Sequence, residues 1–92
     1  MALKITEENF VFVVEGPINA ITTESFQNQL NIIMDNYKKV TINIDKVNEI
    51  DANGLSILRE FYLNGLRYNR DYSIVGYSCK AIYDQFKFNR LK

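Results

Sequence analysis

The sequence predicts a single α/β domain in which crossover helices pack on a mixed sheet of about four to five strands. Three observations carry that expectation. Segments of strand period and of helical period follow one another in the order strand, strand, helix, strand, helix, strand, helix. Within residues 48–58 a period-two pattern gives way abruptly to a helical stripe, as at the junction between a strand and its crossover helix. The chain of 92 residues is long enough for one hydrophobic core and too short for two. No linker, repeat or low-complexity stretch divides it, so residues 1–92 are read as one domain.

In chain order, Leu3-Lys4-Ile5-Thr6-Glu7 alternates as a short edge strand, and Glu8-Asn9 forms the turn after it. Phe10-Val11-Phe12-Val13-Val14-Glu15 is a near-continuous aromatic and β-branched run, the pattern of a central strand buried on both faces. Gly16-Pro17 ends it. Thr22 or Thr23 caps the first helix, Glu24 suits its first turn, and Phe26, Leu30, Ile33, Met34 and Tyr37 share one face. Lys38 and Lys39 follow, where positive charge complements the helix dipole.

Val40, Ile42 and Ile44 alternate with Thr41, Asn43 and Asp45, giving a strand with one strongly apolar face. The second helix is expected over residues 54–69. Leu55, Leu58, Tyr62 and Leu66 recur at steps of three and four, and Ile57, Phe61, Gly65 and Tyr68 widen the stripe that must face the sheet. Asn53 is its expected N-cap, Gly54 supplies whatever backbone angles the turn requires, and Asn69 takes the left-handed conformation at the far end. Asn53-Gly54 also suits a tight hairpin, but a helical stripe follows it and not a strand. Tyr72-Ser73-Ile74-Val75-Gly76 is the last strand. Ser78 opens a third helix with Ile82, Tyr83 and Phe86 inward, and Phe88 and Leu91 pack a short tail beneath it.

Composition removes several function classes. Eleven basic residues balance eleven acidic ones, which argues against a nucleic-acid binder held by phosphate contacts. No apolar run approaches the length of a membrane-spanning helix, and Met1-Ala2-Leu3-Lys4 leads into an alternating segment and not a signal peptide; a cytoplasmic domain is expected. Histidine is absent, which removes the commonest general base and metal ligand. Asp45, Glu49 and Asp51 are the acids nearest the junction. Asp45 and Glu49 are expected as solvated acids of a strand-end loop, and Asp51 as an acceptor for free amides at the helix start. Cys79, the single cysteine, has neither a histidine to activate it nor a second thiol to resolve it. The four glycines stand far apart, so no phosphate loop is present. No catalytic residue, metal or cofactor is expected, and binding is left as the function.

Ile42-Asn43-Ile44, then Val47 and Ile50, then Asp51-x-x-Gly54-Leu55-x-x-Leu58 resembles the signature of the STAS domain. That family comprises bacterial anti-sigma factor antagonists and the cytoplasmic domains of sulfate transporters. The resemblance spans nearly the whole chain, and the junction is its specific part. It implies the STAS fold and, for the antagonist type, a protein partner such as an anti-sigma factor kinase. In regulatory members the residue just before the junction glycine is a phosphorylated hydroxyl. Here that position is Asn53 and its neighbour is Ala52, so neither carries a hydroxyl. Gly16-Pro17-Ile18-Asn19 is similar to the family's Gly-x-Leu motif with Asn19 in place of an acid. The resemblance also implies that the helix after the junction faces the partner, through Ser56, Arg59 and Leu63, with Asn19 beside them. Leu63 is the large apolar residue expected on that open face. A subunit bound to a transport ATPase, or a domain that binds a nucleotide or acyl chain, is the alternative the family offers.

Overall fold

The computed structural model describes residues 3–76. The expected third helix and tail, with Ser78, Cys79, Ile82, Tyr83, Phe86, Phe88 and Leu91, lie outside the described residues. The elements are β1 (Lys4–Glu8), β2 (Val11–Ile18), α1 (Thr23–Asn36), β3 (Lys39–Ile50), α2 (Ala52–Arg67) and β4 (Asp71–Val75). They form a four-stranded sheet of order β1-β2-β3-β4. β1 runs antiparallel to β2, and β2, β3 and β4 are parallel. This is the α/β architecture expected from the alternation. Two right-handed crossovers advancing in the same direction place α1 and α2 on one face of the sheet.

Side-chain alternation records that one-sided packing. Phe12 and Val14 of β2, Ile42 and Ile44 of β3 and Tyr72 of β4 are buried, while their neighbours Val11, Val13, Thr41, Asn43 and Ser73 are only half-buried. Among the described residues β2 is therefore not buried on both faces as its composition suggested, because α1 and α2 cover the same side. α1 contributes Phe26, Leu30 and Ile33 to the core, and α2 contributes Ile57, Leu58 and Phe61. Each such side chain stabilises the fold by about 1.5–3 kcal/mol through burial.

Several local expectations are corrected. The first turn falls on Asn9 and Phe10, both at positive φ (54° and 69°), and Glu8 pairs with Val11 across it. A two-residue hairpin loop with both residues left-handed matches the twist of the flanking strands. It takes Phe10 out of the strand and leaves it 52% exposed, its ring edge-on to Tyr37 at 6.0 Å. β3 does not stop at Ile44 but continues to Ile50, so Asp45 and Glu49 are exposed strand residues and not loop acids. Two register shifts against β2 make this possible: Val13 faces Asn43, Glu15 faces Lys46 and Pro17 faces Glu49. At the first shift, Asn43 Oδ1 accepts from Asp45 N at 2.8 Å.

The buried line of α2 runs through Gly54, Ile57, Leu58, Phe61 and Gly65. It is centred on the two glycines, where the helix backbone lies against the strands, and this turns Leu66 out to 67% exposure and leaves Tyr68 at 63%. Both had been expected on the sheet-facing stripe. A Cβ on Gly65 would stand 2.7 Å from Tyr72 Cβ, and the close approach lets the Phe61 and Tyr72 rings stack at 4.8 Å. Beyond the helix, Asn69 takes the left-handed conformation expected of it, with φ 55°. The cation at the end of α1 is Arg70 and not Lys38 or Lys39. Its Nη1 donates to Met34 O at 2.6 Å and to Tyr72 Oη at 2.8 Å, satisfying a terminal carbonyl from the connection just before β4.

Candidate functional site

The C-terminal ends of β2 and β3 lie side by side, with Ile18 opposite Ile50, and each strand leads into the start of a helix. In open α/β sheets this edge gathers loops and helix N-termini, and it is the usual place for binding. The junction between β3 and α2 is held there by Asp51. Its backbone N donates to Ile18 O at 3.0 Å, and its Oδ1 accepts from Gly54 N at 2.8 Å. Asp51 is thus the N-cap of α2, satisfying an amide the helix cannot satisfy itself. Asn53, expected to cap, lies inside the first turn and is exposed. The helix starts earlier than its apolar stripe because the exposed Ala52 and Asn53 form its first turn ahead of it.

Gly54 is required for a different reason from the one expected. It is a helical residue whose added Cβ would stand 2.6 Å from Ile18 Cγ2 and 2.7 Å from Ile50 Cγ1. Space demands glycine here, where α2 rests on the ends of β2 and β3. Gly16, at 106° beside a register shift, is the one of the two positive-φ glycines that lies at this edge, and it does need its freedom of φ; the other is Gly76, at 101°.

Asn19 organises the neighbouring loop. Its Oδ1 accepts from Ile21 N at 3.0 Å and from Thr22 N at 3.3 Å, and its carbonyl accepts from Thr23 N at 2.8 Å and from the Thr23 hydroxyl. Thr22 precedes α1 but makes no side-chain cap; its hydroxyl donates instead to Pro17 O at 2.8 Å and accepts from Asn19 N at 3.0 Å. These bonds fold the loop back on β2 and push Ile21 outward to 89% exposure. Sequence reasoning missed Ile21. Its signal was an isoleucine within Asn19-Ala20-Ile21-Thr22, a segment outside both flanking periodicities.

The Asp51 N–Ile18 O bond therefore sets the β2–α1 loop that begins with Asn19 beside the first turn of α2, while Ser56 and Arg59 are exposed further along the helix. Leu63 lies further along α2 and is half-buried where open exposure was expected. Arg59 and Arg67 stand one turn before and after it, where long side chains cover apolar surface with their stems. Among the described residues, clefts also lie elsewhere. One of about 310 Å³ is lined by Ile5, Phe12, Ile32 and Ile33 between β1 and α1, and one of about 220 Å³ by Met34, Asn64 and Arg70 at the far ends of the helices. Among the described residues no three acids or thiols gather as a metal site, and no helix is long and apolar enough to cross a membrane.

This architecture defines a small α/β domain that presents a strand-end loop and a capped helix start at one edge of its sheet. The chain belongs to the STAS domain family, whose sequence model matches residues 1–87. Among solved structures, an anti-sigma factor antagonist from Mycobacterium paratuberculosis is similar, with a TM-score of 0.72 and 19% identity over 98% of this chain and 78% of that one. At that identity the likeness is one of fold. A search of curated protein sequences finds no significant match.

Proposed function

We propose that this domain is a protein-interaction module of the anti-sigma factor antagonist type, which binds a regulatory partner such as an anti-sigma factor kinase and so controls transcription. The observation that carries the reading is the exposed first turn of α2, fixed beside the β2–α1 loop by Asp51 and Gly54. Asn19 and Ile21 on the loop and Asn53, Ser56, Arg59 and Leu63 along the helix then form the contact surface. It is polar around apolar residues, as the rim and centre of a protein interface are. We place the domain in the cytoplasm, where such a partner acts.

Asn53 makes this antagonist unresponsive to phosphorylation at the usual position. An amide has no hydroxyl to accept phosphate, so the charge of about −1.5 to −2 that would break a packed contact is never added there. The neutral, polar asparagine resembles the unphosphorylated state and not a phosphomimic. The test is affinity capture from the native cell followed by calorimetry with the recovered protein. Recovery of a kinase-like anti-sigma factor supports the reading. Recovery of transport ATPase subunits, or of the domain loaded with a nucleotide or acyl chain, replaces it with one of the family's other roles.

A further inference from the structure

Asn53-Gly54 is a dipeptide in which an asparagine side chain is open to attack from its own backbone. The nitrogen of the following residue adds to the side-chain carbonyl, and a glycine there brings no Cβ to obstruct the approach. Packing imposes that glycine, since a Cβ at 54 would collide with Ile18 and Ile50. The chain carries the same dipeptide again as Asn64-Gly65. The two pairs sit very differently. Asn64 is half-buried, its Oδ1 accepts from Arg67 Nη1 at 3.0 Å, and Gly65 lies in the body of α2, where its N–H belongs to the helix ladder. Asn53 is exposed, and the Gly54 N–H is tied by the Asp51 carboxylate at 2.8 Å.

We propose that Asn53 is a latent deamidation site held closed by the Asp51 cap, and that opening of the first turn of α2 lets it convert spontaneously to a carboxylate. Gly54 N loses its proton to hydroxide and bonds to Asn53 Cγ. The Cγ–Nδ2 bond breaks and ammonia leaves, giving a cyclic imide. Water then opens the ring at either carbonyl to give aspartate or isoaspartate, and no other reactant is needed. In the closed turn the Asp51 carboxylate holds the proton that must leave, and its negative charge disfavours the amide anion. The helical backbone also keeps Gly54 N and Asn53 Cγ out of ring geometry. Both obstacles disappear when the helix end opens, an event that requires less free energy than global unfolding.

The products differ in consequence. Aspartate in the first turn suits the helix dipole and preserves the fold. It also puts a full negative charge at the position that family resemblance equates with the phosphorylated one. That last consequence rests on the interaction reading above; the chemistry does not. Isoaspartate lengthens the backbone where Gly54 has no spare room.

The experiment incubates wild type, Asp51→Ala and Asp51→Ser at mildly alkaline pH and follows each asparagine by peptide mapping and mass spectrometry. In strong urea positions 53 and 64 should react at similar rates. In the folded wild type both should slow, position 64 by at least about tenfold more than position 53, as the lower opening energy of a helix end requires. Asp51→Ala should accelerate position 53 several-fold and leave position 64 unchanged. Asp51→Ser keeps a cap acceptor and should stay near wild type. Equal folded rates at 53 and 64, or equal rates at 53 in wild type and a folded Asp51→Ala, overturn the proposal. If Asp51→Ala does not fold, wild type alone decides: in sub-transition urea, deamidation at 53 must rise in step with hydrogen exchange of the Gly54 amide, and a flat rate overturns it. None of these readouts involves a partner, so failure here leaves the interaction reading standing.

Discussion

Replacing Gly54 by alanine distinguishes a glycine required by space from one required by backbone angle. Gly54 is helical, so propensity alone predicts that alanine stabilises α2 by about 0.8–1 kcal/mol. Against this, the new Cβ would stand 2.6 Å from Ile18 Cγ2 and 2.7 Å from Ile50 Cγ1. Carbon atoms prefer separations of about 3.5–4.0 Å. Ile18 is fully buried, and its carbonyl is tied to Asp51 N, so relief requires movement of the helix start itself. Overpacking of this kind costs about 1–3 kcal/mol, which leaves a net loss of up to about 2 kcal/mol after the propensity gain. In a domain of this size that lowers Tm by up to about 16 °C. Thermal and urea denaturation followed by circular dichroism measure it. A Tm raised by the full propensity gain, about 4–8 °C, would refute the packing argument, because it would show that Ile18 and Ile50 yield without cost.

Asp51→Ala should cost about 0.5–2 kcal/mol in urea denaturation, as lost N-caps do; unchanged stability with lost partner binding would make Asp51 a contact residue instead. Phe10→Gly relieves a left-handed aromatic residue while Phe10→Ala keeps the strain and also loses the Tyr37 contact, so the glycine variant should be the more stable by about 1–2 kcal/mol in the same assay. Leu63→Glu should weaken binding to the captured partner by at least about 1–2 kcal/mol in calorimetry, whereas Leu66→Glu, exposed on the same helix, should leave melting within about 0.5 kcal/mol of wild type. Incubation with a cognate anti-sigma kinase and ATP should leave position 53 unmodified by mass spectrometry; phosphate on Ser56 would show that the switch has moved by about one helical turn.

The alternation of periods was enough to read the order of the elements and the sheet class, because each periodicity reports a face that must be buried. What it could not report was distance. Leu66 fits the helical stripe of α2 as well as Leu58 does, yet the two glycines at the centre of the face bring the backbone onto the strands and rotate Leu66 away. β3 runs past its apolar alternation because register shifts, which carry no composition signal, let Asp45 and Glu49 remain in the ladder. Phe10 reads as strand by type, but the turn geometry claims it. The Asp51 acceptor role was visible from its place before a helix. The loop around Asn19 was not, since its shape depends on hydrogen bonds from Thr22 and Thr23 that sequence spacing alone does not specify.

The residues of the junction separate into those the fold dictates and those it leaves open. Asp51 is dictated by an amide that must be satisfied, and Gly54 by the absence of space for a Cβ. Neither requirement extends to Ala52 or Asn53, which are exposed and take no part in the bonds that hold α2 to the strand ends. The fold thus makes no demand for a hydroxyl at position 53, and the scaffold can keep its shape without one. Asn53→Ser should accordingly leave Tm within the range of an ordinary surface substitution, about 0.5 kcal/mol, because the cap belongs to Asp51. A large loss of stability in that variant would mean that the Asn53 side chain, and not the Asp51 carboxylate, holds the start of the helix.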